Sequence, residues 1–218
     1  MHIEVWSDFV CPFCYIGQRR LEKALARFAH REHVTVTWRS FELDPNASND
    51  AVEPVLTVLA RKYGISADEA RRMTDGVAQQ AAAEGLDFRF ETAVSANTFD
   101  AHRLLKYAAT QRREAEMAEK LFHAHFTASE HIGRRETLLR LATEIGLDEA
   151  AVASVLDDGH AFAAEVREDE RRARELGVRG VPFFLFNGKY SLPGAQPVEV
   201  FSAALEQVWQ AGKPASGP

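Results

Sequence analysis

Apolar and polar positions change rhythm twice along this chain, and the changes divide it into three stretches. Residues 2–7 carry Ile3, Val5 and Trp6 and read as a short strand. Leu21, Leu25 and Phe28 then recur at helical spacing, predicting a first helix from about 11 to 29 with Pro12 at its first position, where the missing N–H costs little. Residues 34–41 (Val-Thr-Val-Thr-Trp-Arg-Ser-Phe) alternate and are β-branched, which predicts a second strand. The chain therefore opens as β-α-β within about forty residues.

The middle keeps a helical period throughout. Asp50 is placed to cap a helix ending near Gly64, and Ser66 with Glu69 makes a capping box for a helix ending near Gly85. Further helices are expected at about 98–111, 114–128, 135–145 and 148–157, with Gly146 and Gly159 as stops. Mixed structure then returns. A charged helix at about 160–176 precedes Val181-Pro182, Phe183–Phe186 reads as a strand, and Asn187-Gly188 is a hairpin turn into a return strand at 189–192. Val200, Phe201, Leu205 and Val208 mark a last amphipathic helix, and residues 213–218 are expected to be a disordered tail.

Bulk composition narrows the classes. With 46% hydrophobic and 27% charged residues in 218, the chain suits one sizeable core or a small domain with an insertion. No apolar run is long enough to span a bilayer. Met1-His2 leads straight into strand-like sequence, so no targeting signal is expected and the protein is expected in the cytoplasm. A net charge of −6 disfavours non-specific nucleic-acid binding. The arginines between 167 and 174 alternate with Glu165, Glu168, Asp169, Glu170 and Glu175, so they read as a solvated helix face with i,i+4 pairing.

The chemistry is concentrated in Cys11-Pro12-Phe13-Cys14, which holds the only two cysteines. A disulfide across one turn closes almost no loop and would be a poor staple. Half of a zinc site and a pair of core thiols are the bland readings. The strand–CxxC–helix setting favours redox cycling. Cys11 falls where a helix begins, and the unpaired N–H groups and positive dipole end there favour a thiolate over a thiol. Cys11 is thus the expected nucleophile and Cys14, one turn further in, the resolving thiol. Pro12-Phe13 offers the Cys11 sulfur no side-chain donor; Phe13 is either a packing residue or an exposed apolar contact. Asp8 reads first as a helix cap, and otherwise as an acceptor for the Cys14 proton.

Strand–CxxC–helix–strand, a helical block, then helix–X-Pro–hairpin–helix is the thioredoxin-like α/β arrangement interrupted by an all-helical insertion. The expected parts are 1–45, the insertion 46–158, 159–212 and the tail. Over nearly its whole length the chain resembles the DsbA-like thiol oxidoreductases, within them the FrnE-like branch. The matching stretches are Ser7-Asp8-Phe9-Val10-Cys11-Pro12-Phe13-Cys14-Tyr15-Ile16-Gly17, Ser40-Phe41-Glu42-Leu43, Asn97-Thr98 with Ala101-His102-Arg103, Gly180-Val181-Pro182-Phe183-Phe184, and Gly194-Ala195-Gln196.

The resemblance implies that Pro182 is a cis-proline facing the cysteines, that Val181 offers its backbone to an extended substrate strand, and that a metal is crowded out. DsbA carries His where this chain has Phe13, which implies a weaker oxidant and leaves reductase or isomerase work open. Asn97 would otherwise be an N-cap. Related hydroxychromene-carboxylate isomerases and kappa-class glutathione transferases bind glutathione or substrate at the corresponding helix end. On that ground Asn97, Thr98 and the Gly194-Ala195-Gln196 turn are ligand contacts, the turn through its N–H groups. His123, His125 and His131 lack further ligands at metal spacing, so no metal is expected.

The expected activity is thiol–disulfide exchange with a disulfide- or thiol-containing protein or small molecule. No cofactor is bound, and glutathione or another dithiol is the redox partner. A glutathione-dependent isomerase or transferase on the same scaffold is one alternative; a redox-regulated, chaperone-like binding protein is the other.

Overall fold

A computed structural model describes residues 1–48 and 52–212. Its four strands, β1 (His2–Ser7), β2 (Thr35–Ser40), β3 (Phe183–Phe186) and β4 (Tyr190–Pro193), form one sheet in the order β2-β1-β3-β4. β1 runs parallel to β2, joined through helix α1 (Pro12–Arg27), and antiparallel to β3, with Trp6 opposite Phe183. Six helices follow between β2 and the second half of the sheet: α2 (Val55–Tyr63), α3 (Ala67–Ala83), α4 (Phe99–Thr110), α5 (Glu114–Phe126), α6 (Arg135–Glu144) and α7 (Glu149–Asp157). Helix α8 (Ala163–Glu175) leads back to β3, and α9 (Val198–Ala211) closes the described chain. This is a thioredoxin-like α/β fold interrupted by helices.

Alternation along β1 assigns the two faces of the sheet. Ile3 and Val5 join the main core with α1 and α9, while Glu4 and Trp6 face α8. The main core is continuous from the sheet into the helical block. Tyr15 of α1 stacks on Phe122 of α5 at 4.9 Å, and Phe126 stacks on Phe88 at 4.5 Å. Aromatic packing of this kind, worth about 0.5–1.5 kcal/mol per pair beyond burial, fixes the block over the start of α1.

Local signals act where the pattern placed them. Ser66 and Glu69 form the reciprocal capping box of α3. Asn187 and Gly188 both take left-handed φ (49° and 67°), the geometry of a tight hairpin, and the return strand begins at Tyr190. Asp50 and the expected tail at 213–218 lie outside the described residues.

Arg167, Arg171 and Arg174 of α8 are exposed as expected, and the correction falls on Asp169, which is buried. Arg171 does pair along its own helix, with Glu168 and Glu175, but the opposite side of α8 is buried and ionic. Asp169 takes Arg39 at 3.0 Å, the Ser40 N–H at 2.9 Å and the Lys106 ammonium, while Glu4 takes Arg39 and Arg172. A one-dimensional charge pattern cannot separate such a face from a solvated one. Only the strand that lies across it does.

Candidate active site

β1 ends at Ser7, and the chain turns through Asp8 into α1. The Cys11 N–H donates to the Asp8 carbonyl at 3.1 Å and the Cys14 N–H to the Cys11 carbonyl at 3.0 Å. Cys11 is the N-cap residue, with no side-chain cap and no acidic residue in the first helical turn. Nothing anionic in that turn therefore competes with a thiolate for the free N–H groups. Both cysteines are free thiols, Cys11 5% and Cys14 1% exposed. Burial pushes the Cys14 thiol well up, and the adjoining Cys11 sulfur adds to this; the Ser7 side chain and the Asp8 backbone act the other way.

The other half of the site arrives from the far end of the chain. The Val181–Pro182 bond is cis, and the Cys11 Sγ donates to the Val181 carbonyl at 3.5 Å. Gly17, on α1, lets this loop close down. A Cβ there would stand 3.1 Å from Pro182 Cγ and 3.3 Å from Phe184 Cζ, tighter than side chains normally approach.

Asp8 does not cap the helix. Its Oδ2 accepts the Leu43 N–H at 2.7 Å, tying the CPFC turn to the segment after β2. Its Oδ1 is buried without a hydrogen-bond partner, 3.5 Å from His102 Nε2. Full burial beside an imidazole, rather than a place ahead of free N–H groups, decides its surroundings. His102 packs at a tilt against Phe9, ring centroids 4.9 Å apart, and neither of its ring nitrogens has a hydrogen-bond partner. Sequence reasoning noted His102 only within a matching stretch.

The remaining site expectations separate. Asn97 Oδ1 accepts the Phe99 N–H at 2.9 Å, and its amide donates to the Ala47 carbonyl at 3.1 Å, so it braces a loop. Thr98 is buried and lines the cavity described below. In the Gly194-Ala195-Gln196 turn two of the three backbone N–H groups are engaged within the protein. The Gly194 N–H already donates to the Pro182 carbonyl at 2.8 Å and the Gln196 N–H to the Gly194 carbonyl at 2.9 Å. The Ala195 carbonyl accepts from Arg20 at 2.6 Å. This turn braces Pro182 from behind, and none of its three residues lines the cavity. His123 is exposed whereas His125 is buried, as a two-residue step on a helix dictates. Among the described residues no group of three or more His, Cys, Asp or Glu is placed to hold a metal ion. No helix among them is long and apolar enough to cross a membrane.

A cavity of about 380 Å³ opens beside Cys11, Pro12 and Phe13 and runs under α2 and α3. Phe13 is 39% exposed at its mouth, so it is not a core packing residue.

A family model for the DSBA-like thioredoxin domain matches residues 2–206. The chain belongs to that family. It is 45% identical to the probable DsbA oxidoreductase SCO1869 of Streptomyces coelicolor, whose crystal structure superposes with a TM-score of 0.94 over 100% of this chain and 94% of that one. YwbO of Bacillus subtilis (strain 168), an uncharacterized protein, is 29% identical over 209 residues, covering 94% of this chain and 96% of YwbO. The cytosolic disulfide reductase DsbM of Pseudomonas aeruginosa, 19% identical with a TM-score of 0.68 over 97% of this chain and 100% of its own, shares the fold.

Proposed function

We propose that this protein is a thiol–disulfide oxidoreductase working through Cys11 and Cys14. The observation that carries the reading is the asymmetry of two adjoining free thiols. One stands uncapped at a helix start and borders a cavity; the other is sealed beneath it with its proton held tightly.

Cys11, as the thiolate, attacks one sulfur of a substrate disulfide. The S–S bond breaks, one substrate thiol leaves with the electron pair, and a mixed disulfide forms on Cys11. Cys14 gives up its proton and displaces the second substrate thiol, leaving a Cys11–Cys14 disulfide and a substrate reduced by two electrons. We assign the Cys14 proton to the buried Asp8 carboxyl, whose Oδ1 has no hydrogen-bond partner and lies 3.5 Å from His102 Nε2. Val181 and the Pro182 loop hold the substrate sulfur against Cys11, and Pro12 and Phe13 border it. Two glutathione molecules, oxidised to their disulfide, or one dithiol return the pair to the thiol state, so no bound cofactor is required. A reducing role in the cytoplasm suits this cycle, and rearranging existing disulfides needs only its first half.

The test is mixed-disulfide trapping. Wild type should reduce a model disulfide catalytically with glutathione and glutathione reductase, while Cys14→Ser should accumulate a stable adduct on Cys11 and lose turnover. Full turnover in Cys14→Ser would sink the dithiol reading and favour a single-thiol transferase.

A further inference from the structure

Seven large apolar side chains stand exposed among the described residues, and four of them, Phe13, Leu43, Tyr63 and Met73, lie on the lining of the cavity beside Cys11. Exposed apolar surface concentrated at one concave mouth marks a binding site rather than random scatter. Deeper in, the walls are Val58 and Leu59 of α2, Val77 of α3, Phe90 and Phe126. The volume of about 380 Å³ falls within the range of small-molecule sites, roughly 300–1,000 Å³.

Charge narrows the ligand. Apart from His125, the lining among the described residues carries Asp8, Asp44 and Lys62, two carboxylates against one ammonium. A ligand bearing several carboxylates has too few cations to meet there, whereas an uncharged one meets mainly hydrocarbon. His125 supplies the second, independent observation. It lines the cavity at 2% exposure, and its Nδ1 is buried without a hydrogen-bond partner. Burial brings the imidazole down to about 4, so it is neutral at physiological pH. An unpaired buried polar atom is costly until something bonds to it.

We propose that this cavity binds the uncharged, largely apolar body of a small thiol or disulfide, with His125 making the hydrogen bond that orients it toward Cys11. The inference rests on the redox reading above and adds the substrate class to it.

Alkyl 2-pyridyl disulfides test both separately. Cys11 attacks the alkyl sulfur, the S–S bond breaks, and pyridine-2-thione leaves with the electron pair and is followed by its absorbance. Cys14 then displaces the alkyl thiol and closes the Cys11–Cys14 disulfide. Relative to the same reactions of free cysteine, the rate should climb at least tenfold from the methyl to the octyl probe. The glutathionyl 2-pyridyl disulfide should react more slowly than the octyl. Leu59→Glu should flatten the climb. His125→Phe should remove the advantage of an octyl chain carrying an amide over the plain chain. Should that variant not fold, titrating octanamide into wild type should move the His125 ring resonances in nuclear magnetic resonance spectra.

A flat series with a normal methyl rate overturns the cavity assignment and leaves the redox reading standing. So does a faster reaction with the pyridyl disulfide of an extended cysteine peptide, which would make the occupant a polypeptide. His125 resonances that stay still overturn its orienting role. A methyl probe that never releases pyridine-2-thione, or an adduct that Cys14 never resolves in wild type, overturns the redox reading and the inference with it.

Discussion

The Cys11 thiol donates to the Val181 carbonyl across 3.5 Å, so the residue before Pro182 is the immediate neighbour of the reactive sulfur. Residues 170 positions apart in the chain meet there. The contact is held from two sides: the Gly194 N–H bonds the Pro182 carbonyl, and bare Gly17 gives the proline ring room.

Gly17→Ala is the first consequence. In an exposed helix this exchange would gain roughly 1 kcal/mol of helix propensity. Here the added methyl meets Pro182 and Phe184, and crowding a packed site costs about 1–3 kcal/mol. The two effects nearly offset, so thermal unfolding should move little. The rate at which Cys11 captures a disulfide should fall severalfold, because the loop must yield. An unchanged capture rate would show that the approach of α1 to Pro182 is incidental.

Asp8→Asn keeps an oxygen for the Leu43 N–H and removes the charge beside His102. Capture by Cys11, followed by alkylation with iodoacetamide, should stay within about twofold of wild type. Release of the mixed disulfide by Cys14 should slow at least tenfold, as expected for losing a general base. Equal slowing of both steps would assign Asp8 to the loop alone.

His125 gives the protein an acid limit. Its ordinary value of 6.5 is lowered to about 4, first by burial and further by His131, with Asp8 pulling it back. Folding therefore favours the neutral ring. The stability it contributes is present above pH 6.5 and fades as pH falls through the folded value near 4. The whole shift corresponds to about 3 kcal/mol. Urea unfolding between pH 7 and 4 should show a steeper decline for wild type than for His125→Phe.

Glu114 works in the opposite sense. Burial raises its carboxyl from 4.5 to about 7, against the pull of Lys106, the Trp38 N–H and Arg39, with Asp169 adding to the rise. The fold thus favours the protonated acid, a contribution present below about pH 4.5 and lost as pH rises through 7. Glu114→Gln, which can still accept from the Trp38 N–H, should be more stable by about 1–2 kcal/mol at pH 8, discounted for its partial exposure. Below about pH 5 the two proteins should unfold together.

What could be read from the chain was whatever its chemistry carries locally. The period-2 run at 2–7, the Ser66–Glu69 box, Asn187-Gly188 and the CPFC turn each form within a few residues of themselves. The surroundings of Asp8 did not declare themselves, because Leu43 and His102 reach it from 35 and 94 positions away and share no spacing rule with it. Asp169 looked solvated for the same reason: Arg39, Ser40 and Lys106 come to it from other elements. Gly17 had a local trace, a glycine inside an otherwise regular helix, but what it makes room for belongs to a loop 165 positions later. His125 differed from His123 only in which side of α5 it occupies.

The placement of β1 between β2 and β3 bears on biosynthesis. Strand β3, which pairs Phe183 with Trp6, leaves the ribosome long after β1 and β2. Until then the nascent CPFC segment has its helix and β2 beside it but no Val181–Pro182 loop across from it. The newborn thiols stay unmatched over that interval, and the competent site comes together only when β3 reaches β1.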